Sequence, residues 1–238
     1  MSRPGATWIN GPWTPTGFAP YYRSWRSPLE KIKVSTLEPH IYLASNSPRR
    51  RDLLHQIHVR FETLLFRSPG RPDHDISEDV LPGEDPVAYV RRVARAKSEG
   101  GFRRIAWRGK RVQPVLAADT TLELDGQIIG KPDNPAHAEA ILRQLSGRTH
   151  QVLTSVSLTD GTRTLERLSV SEVQFRPIED DEIRRYVATG EPLDKAGAYG
   201  IQGRAAIFVE QIRGSYTGIV GLPLFETAGL LREIGFPF

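Results

Sequence analysis

The sequence predicts an α/β protein built on a mixed β-sheet. Short apolar runs that are typical of buried strands alternate with segments whose apolar residues recur at helical spacing. Two Asp-Gly pairs, Asp125-Gly126 and Asp160-Gly161, lie between β-rich runs and predict tight hairpins, so the sheet is not purely parallel. With 238 residues, 39% of them hydrophobic, the chain is long enough for one large domain or two small lobes around a sizeable core.

The first predicted strand, turn and helix carry the most distinctive charge pattern. Residues 40–44 predict a short buried strand, and Ser47 and Pro48 mark the start of a helix as its N-cap and first residue. The first turn of this helix holds three arginines, residues 49–51, although its free amides already present partial positive charge. An anion bound by the amides, the Ser45 and Ser47 hydroxyls and the arginine forks would resolve this mismatch, which predicts a phosphate site. An ordinary solvated helix start is the alternative.

The other elements follow from capping residues, turn residues and apolar spacing. Helices begin where a capping residue precedes proline, and strands are predicted where β-branched and aromatic residues cluster between turn signals. In chain order the predicted elements are a strand at Val59–Leu65, a helix from Asp85-Pro86, a strand at Pro114–Ala118 that ends in Asp119, a hairpin over residues 122–129, a helix from Asn134-Pro135 to Gly147, a hairpin between Thr149 and Phe175, a helix at Glu179–Ala188, strands at Ala205–Glu210 and Ser215–Val220, and a helix at Leu224–Ile234.

Composition excludes several classes of protein. Cysteine is absent, which excludes disulfide bonds, thiolate metal sites and thiol catalysis. No run of 18 or more apolar residues is present, and the proline-broken N-terminus lacks the apolar core of a secretory signal. We therefore expect a cytoplasmic protein with no membrane partner.

Residues 1–36 and residues 37–238 are predicted to differ in kind. The first segment holds five basic residues and one acidic residue, which accounts for the whole formal net charge of +4 and leaves the rest neutral. A neutral folded domain lacks the basic excess of a duplex-binding domain, so nucleic acid is not an expected partner. The Pro- and Trp-containing extension is predicted to be disordered, and contact of this extension with RNA or a membrane surface stays open as the alternative.

Six motifs occur in a fixed order between residues 40 and 235. They are Leu43-Ala44-Ser45-x-Ser47-Pro48-Arg49-Arg50, Ala118-Asp119-Thr120, Gly130-Lys131-Pro132, Leu145-Ser146-Gly147, the glycine-punctuated loop Asp194–Gly203, and Val220-Gly221-Leu222-Pro223. Each motif alone is a weak signal. The ordered set resembles the Maf family of nucleotide pyrophosphatases.

The resemblance implies a fold, an activity and a cofactor. It implies hydrolysis of a nucleoside triphosphate to the monophosphate and pyrophosphate with Mg²⁺ or Mn²⁺, in a central cleft between two lobes of an elongated mixed sheet. Arg49, Thr120 and Gln202 agree with the dTTP/UTP branch, whereas the 7-methyl-GTP branch tends to have Trp, Gln and Glu at these places. The implied substrates are dTTP and UTP, extending to modified pyrimidine nucleotides, and the implied role is cleansing of the nucleotide pool. A homodimer is a family-level expectation.

Three features depart from the family pattern. Ala118 stands where many members have glycine, which narrows the backbone room expected beside Asp119. Ser77-Glu78 stands where many have two acids, which leaves Glu78 as the match to the loop carboxylate. The extension at residues 1–36 has no counterpart in the pattern.

Hydrolysis at an α-phosphorus requires a base, a metal ion and neutralisation of the phosphate charge. Asp119 is the candidate base and, together with Glu78, the candidate metal ligand. The alternatives are that Asp119 caps a turn and that Glu78 is a solvated loop acid. The six histidines show no metal-ligand spacing.

Four basic residues are candidates for neutralising the phosphates. They are Arg49, Arg50, Lys97 and Lys131, with both lysines as catalytic candidates and Ser45 as a further substrate-binding residue. Viewed alone, Lys97 also fits a solvated helix face, and Lys131 an ordinary turn.

Thr120 and Gln202 are candidates for reading the base. The amide of Gln202 offers both a donor and an acceptor, which the carbonyl and imide edge of a pyrimidine requires. A polar loop residue is the alternative for Gln202. Two other functions also stay open: turnover of 7-methyl-GTP or another nucleotide, and nucleotide binding without turnover in a regulator of septum formation, a process with which similar family members have been linked.

Overall fold

The first strand and helix have the predicted arrangement. The computed structural model describes residues 40–64 and 76–237. Strand β1 (Ile41–Leu43) is fully buried, and residues 44–47 connect it to helix α1 (Pro48–Gln56). Ser47 is the N-cap of α1, as predicted. The extension predicted at residues 1–36 lies outside the described residues, as do residues 65–75.

Further helices begin at the capping residues that the sequence marks. Asp85 accepts hydrogen bonds from the amides of Val87 and Ala88, and Asn134 accepts one from the amide of His137, so both cap a helix that opens with proline. The helices are α2 (Pro86–Trp107), α3 (Pro135–Leu145), α4 (Asp180–Val187), α5 (Tyr216–Val220) and α6 (Leu224–Glu233). Within residues 40–64 and 76–237, no helix is both long and apolar enough to cross a membrane.

The described residues form a seven-stranded mixed sheet. Its strands are β1, β2 (Phe61–Thr63), β3 (Val115–Leu124), β4 (Gln127–Ile129), β5 (Thr149–Thr159), β6 (Thr164–Phe175) and β7 (Val209–Arg213). The order is β2-β1-β3-β5-β6-β7, with β4 paired to the far end of β3. β1 is parallel to β2 and β3, whereas β3, β5, β6 and β7 pair antiparallel, which confirms the predicted α/β class and mixed sheet.

Two hydrophobic clusters cover the two faces of β3. Leu116 and Ala118 belong to the larger cluster, which includes residues of α1, α3, α4 and α6. Val115 and Ala117 belong to the smaller cluster, with Ile105 of α2. This alternation follows from the two-residue period of a strand. The methyl group of Ala118, which departs from the family's glycine, therefore packs into the larger cluster.

Two predicted elements and one predicted strand end were wrong. Asp119 does not end a strand, because pairing with Ser155 of β5 carries β3 through it to Leu124. The segment predicted as a strand from residue 205 is mostly a 3-10 helix, Arg204–Phe208, and β7 follows it. The last predicted strand is helix α5, because Ser215 caps it by accepting a hydrogen bond from the amide of Gly218.

Candidate active site

A gap in the sheet leaves the middle of β3 open on one edge. β1 pairs with the first two residues of β3, and β4 pairs with its last three. Between them, among the described residues, no strand pairs with this edge at Asp119 and Thr120, because β1 gives way to the turn at residues 44–47. The opposite edge is paired with β5. The described part of the chain therefore leaves the edge of β3 at Asp119 and Thr120 without a neighbouring strand.

Asp119 and Thr120 connect this gap to two different helices. Successive side chains of a strand point to opposite faces of the sheet. Accordingly, Asp119 contacts Lys97 of α2, whereas Thr120 contacts Arg50 of α1. The start of α1 and the middle of α2 therefore meet at neighbouring residues of one strand.

Arg50 lies inside the site and does not point into bulk solvent. Its Nε donates to the carbonyl oxygen of Gly221 at 2.8 Å, Nη1 donates to Oγ of Ser45 at 3.3 Å, and Nη2 donates to Oγ1 of Thr120 at 3.3 Å. Burial lowers the pKa of Arg50, while the charges of Asp119 and Glu78 act in the opposite direction. A guanidinium carries five N–H groups, so two remain for an anion.

The hydroxyl of Ser45 is prepared to donate a hydrogen bond. Its oxygen accepts from the amide of Ser47 at 3.2 Å and from Arg50 at 3.3 Å, and the residue is 7% exposed. A hydroxyl has two lone pairs and one proton, so both lone pairs are in use. Within residues 40–64 and 76–237 the proton has no acceptor, and an anionic oxygen is the group that would satisfy it.

Arg49 lies at the border between the start of α1 and the glycine-punctuated loop. It is partly exposed, and its positive charge acts on the pKa of both Arg50 and Asp194. Burial raises the pKa of Asp194, but the hydrogen bond and charge of Lys195, with the charge of Arg49, lower it overall. The loop that carries Gln202 therefore begins within electrostatic reach of the arginines.

Two carboxylates converge on the ammonium group of Lys97. Its Nζ lies 2.7 Å from Oδ1 of Asp119 and 3.1 Å from Oε1 of Glu78. The Lys97 and Asp119 side chains are 13% and 10% exposed, whereas that of Glu78 is 41% exposed. Burial, followed by the charges of Asp119 and Glu78, raises the pKa of the neighbouring Tyr89 to about 12. The site thus combines a buried acid, a more exposed acid and a shared cation.

The two carboxylates fit a magnesium-type site. Their oxygens contact the same nitrogen atom and therefore lie close to one another. The described residues contain no cluster of three or more His, Asp or Glu side chains that would form an all-protein cage. Mg²⁺ usually takes one or two carboxylates and completes its shell with water and substrate phosphates. Asp119 and Glu78 supply that donor set.

Lys131 and Gln202 lie on two neighbouring loops and are both exposed. The loops are joined by a hydrogen bond from the amide of Gly197 to the carbonyl oxygen of Gly130 at 3.0 Å. Gly197 has φ of 72°, and a Cβ atom there would lie 2.3 Å from Leu122 of β3, so this close approach requires glycine. Among the described residues, neither side chain is hydrogen-bonded to the cluster around Asp119.

Comparison with known proteins fits this arrangement. Residues 40–234 match the family model described as "Maf-like protein". The chain belongs to the Maf family. Among the Maf-family relatives is a protein of Aromatoleum aromaticum named "dTTP/UTP pyrophosphatase", 64% identical over 86% of this chain and 100% of that protein. A protein of Dechloromonas aromatica with the same name is 57% identical over 82% of this chain and 98% of that protein. A solved structure, "The structure of the Staphylococcus aureus Ham1 protein", aligns with a TM-score of 0.45 and 19% identity over 82% of this chain and 97% of that chain.

In this Maf-family chain, several supporting residues were missed by the sequence analysis. Arg92, Glu84 and Tyr89 contact the segment that carries Glu78, and Thr154 contacts Thr120 at 3.0 Å between the hydroxyl oxygens. Thr154 lies directly opposite Thr120 in the β3–β5 register. The contact between Thr154 and Thr120 could have been predicted only from the register in which β3 pairs with β5. Nothing in the sequence distinguishes Arg92 from the neighbouring basic residues of α2, Arg91 and Arg95.

Proposed function

We propose that the chain hydrolyses dTTP and UTP to the nucleoside monophosphate and pyrophosphate, with a divalent metal cation as cofactor. Two relatives, 64% and 57% identical to this chain, carry the name dTTP/UTP pyrophosphatase. Arg49, Thr120 and Gln202 are the residues that the resemblance associates with the dTTP/UTP branch. Modified pyrimidine nucleotides fall within the same proposal.

The observation that carries the proposal is the convergence of Asp119 and Glu78 on Lys97, beside Arg50 and Ser45. The donors of this partly buried cluster are not all used, because the Ser45 hydroxyl proton and two N–H groups of Arg50 have no acceptor among the described residues. A site that only bound phosphate would not require two carboxylates, since carboxylates repel phosphate oxygens. Two carboxylates next to anion donors are instead suited to a metal–triphosphate complex.

Asp119 is the proposed base. The oxygen of a water molecule forms a bond to the α-phosphorus, the bond from that phosphorus to the bridging oxygen breaks, and this oxygen leaves with pyrophosphate. Asp119 takes the proton of the water on its carboxylate, where Lys97 engages only Oδ1 among the described residues. A metal ion held by Asp119 and Glu78 would supply charge neutralisation and a more acidic bound water.

The donors around α1 are proposed to hold the triphosphate. Ser45 donates its free proton, Arg50 donates its two remaining N–H groups, and the partly exposed Arg49 adds a second guanidinium group. Lys97 and Lys131 contribute compact positive charges. Because Arg50 is already fixed by three hydrogen bonds, it needs little further ordering when the substrate binds.

Thr120 and Gln202 are proposed to recognise the pyrimidine. The hydroxyl of Thr154 lies 2.8 Å from the carbonyl oxygen of Gly218, which can only accept, so Thr154 donates there and Thr120 donates to Thr154. Thr120 also accepts from Arg50, which leaves one lone pair for the N–H of the imide edge. Gln202 would pair with a carbonyl of the base through its amide. A methylated guanine presents a different donor pattern.

The test is pyrophosphate release from a panel of triphosphates with Mg²⁺ or Mn²⁺. dTTP, UTP, dCTP, CTP, ATP, GTP and 7-methyl-GTP are compared at equal concentration, with Asp119→Asn measured in parallel. We expect dTTP and UTP to be turned over fastest, and pyrophosphate rather than orthophosphate to be released. Preference for 7-methyl-GTP would overturn the branch assignment. If the chain binds dTTP but releases pyrophosphate from no nucleotide, it is a nucleotide-binding regulator and not an enzyme.

We also propose the cytoplasm as the place of action, since free nucleoside triphosphates are the substrate. Nucleic acid is not a proposed partner, because the net positive charge lies in residues 1–36 and the rest is neutral. A homodimer stays a family-level proposal. Light scattering of the purified chain tests it.

A further inference from the structure

Glu78 lies on a segment with no helix or strand of its own. We call residues 76–84 the α2 strap, because this segment runs along helix α2. A Cβ atom at Gly100 of α2 would lie 3.1 Å from Cδ1 of Ile76, so the start of the strap packs closely on the helix. Without a ladder of its own, the strap depends on side chains of α2 to hold the backbone that carries the Glu78 carboxylate.

Arg92 holds the strap on both sides of Glu78. Its Nη1 donates to the carbonyl oxygen of Ser77 at 3.3 Å, and its Nη2 donates to that of Asp79 at 2.8 Å. Tyr89, one turn earlier on α2, donates its hydroxyl proton to the carbonyl oxygen of Glu78 at 3.0 Å. Three consecutive carbonyl groups of the strap are therefore fixed by two side chains of one helix.

Glu84 fixes the orientation of Arg92. Its Oε1 and Oε2 accept from Nε and Nη2 of Arg92 at 2.6 and 2.8 Å, a bidentate pair in which the Glu84 side chain is 8% exposed. The hydrogen bonds from Arg92 lower the pKa of Glu84 to about 2. Oε2 also accepts from the amide of Leu81 at 3.0 Å, which closes the end of the strap. Glu84 is itself a residue of the strap, and it fixes Arg92, which in turn holds the strap backbone.

We propose that Arg92 is a positioning residue for the metal ligand Glu78. A planar guanidinium can engage one carboxylate with one edge and two carbonyl groups with the others, which the ammonium of lysine cannot do. The hydrogen bonds of Arg92 go to the carbonyl groups on either side of Glu78 and to Glu84, so Arg92 acts on Glu78 through the strap backbone. This inference rests on the proposed function, in which Asp119 and Glu78 hold a divalent metal ion.

Arg95 provides a matched control on the same helix. It lies one turn after Arg92 and also pairs with a glutamate, with Nε donating to Oε1 of Glu166 at 2.5 Å. Its partner belongs to β6, and among the described residues Arg95 donates no hydrogen bond to a carbonyl group of the strap. Arg95→Gln therefore removes a comparable arginine–glutamate pair from α2 and leaves the strap untouched.

Two measurements that do not depend on turnover test the inference. Amide hydrogen exchange reports the order of the strap, and the electron paramagnetic resonance signal of free Mn²⁺ reports metal binding. In Arg92→Gln we expect exchange in the peptide covering residues 76–84 to become about tenfold faster, since hydrogen bonds to a charged group are lost. We expect Mn²⁺ affinity to fall about 10- to 100-fold, as for other residues that support a metal ligand. Arg95→Gln is expected to change neither.

A double-mutant cycle separates positioning from general destabilisation. In a Glu78→Gln background, Arg92→Gln is expected to weaken Mn²⁺ binding no further, because the group that it positions is already gone. Arg92→Lys keeps the charge without the fork and is expected to behave like Arg92→Gln. If Arg92→Gln should unfold the chain, Glu84→Gln and Tyr89→Phe remove single contacts of the same set and take its place in the cycle.

The outcomes distinguish this inference from the proposed function. If wild type binds Mn²⁺ and Arg92→Gln binds it equally well, or if the loss is the same in the Glu78→Gln background, the inference is overturned alone. If wild type binds no Mn²⁺, the proposed metal pair is overturned and the inference with it. If the variants behave as expected but no nucleotide is hydrolysed, the inference stands and the proposed reaction fails.

Discussion

Replacing Lys97 with methionine is expected to strengthen the binding of a divalent metal ion while slowing turnover. The Nζ atom of Lys97 lies 2.7 Å from Asp119 and 3.1 Å from Glu78, between the two oxygens that the proposed metal ion would use. A metal ion that binds without nucleotide must therefore displace this ammonium group. Methionine keeps a similar length and removes the charge.

The magnitude is set mainly by the contact between Lys97 and Asp119. Two unit charges about 4 Å apart interact with about 4 kcal/mol at an effective dielectric constant near 20. Lys97 and Asp119 are only 13% and 10% exposed, whereas Glu78 is 41% exposed, so its pair with Lys97 adds no more than about 1 kcal/mol. Desolvation offsets part of the larger energy. We expect a net gain of about 1.4 kcal/mol, which is about tenfold tighter metal binding.

The assay is a titration with Mn²⁺ followed by the electron paramagnetic resonance signal of the free ion, without nucleotide. Lys110→Met is the matched control, since the ammonium group of Lys110 pairs with a different glutamate, Glu62 of β2. Thermal unfolding checks that the variants are folded. We expect kcat for dTTP to fall about 100-fold in Lys97→Met, because a charge that stabilises the phosphates is lost. Equal or weaker Mn²⁺ binding in Lys97→Met would show that the Lys97 ammonium group does not compete with the metal ion. It would thereby refute the claim that both occupy the space between Asp119 and Glu78.

Three other changes are expected to act on separate parts of the molecule. Asp119→Asn should lower kcat by about 100-fold or more, as for loss of a general base, with an unchanged far-ultraviolet circular dichroism spectrum; an active Asp119→Asn would exclude this residue as the base. Gln202→Glu should reduce the preference for dTTP and UTP over other triphosphates more than it changes pyrophosphate inhibition, and an unaltered ranking in the nucleotide panel would remove Gln202 from the base pocket. Burial lowers the pKa of His150 to about 4. Between pH 6.5 and 4 the unfolded chain therefore binds a proton that the folded chain does not bind. The free energy of unfolding falls as the pH drops through this window. At pH 5 this lowers the free energy of unfolding by about 2 kcal/mol. Denaturant unfolding of His150→Gln at pH 7 and 5 should show a smaller decrease than the wild type. An equal decrease would assign the pH dependence to other groups.

The start of α1 could be predicted from the sequence because its signals are local. Ser47 and Pro48 lie next to each other in the chain, and the arginines of the first turn contradict the usual charge preference there. The sites at Asp119 and Glu78 were named through the family resemblance. Their meeting at Lys97 required the structure, since these residues come from a strand, a strap and a helix.

The errors have physical causes in tertiary structure. Residues 216–220 are β-rich in composition, yet the Ser215 cap makes them helical, because a local hydrogen bond and packing outweigh strand propensity. Arg92 was indistinguishable from other cations of α2, because its partner Glu84 lies before the helix, outside any helical spacing. The hydrogen bonds of Arg50 to Gly221 and Thr120 join residues that are far apart in sequence. Pairings of this kind leave no periodic signal.

The central claim is that a triphosphate lies between the start of α1 and Asp119. The most direct measurement is a crystal structure of the chain with Mg²⁺ and a dTTP analogue in which an NH group replaces the oxygen between the α- and β-phosphorus atoms. The account predicts that the phosphates contact Ser45 and Arg50, and that the α-phosphorus faces the Asp119 carboxylate. A triphosphate bound elsewhere, with Lys97 still closing the space between Asp119 and Glu78, would contradict it.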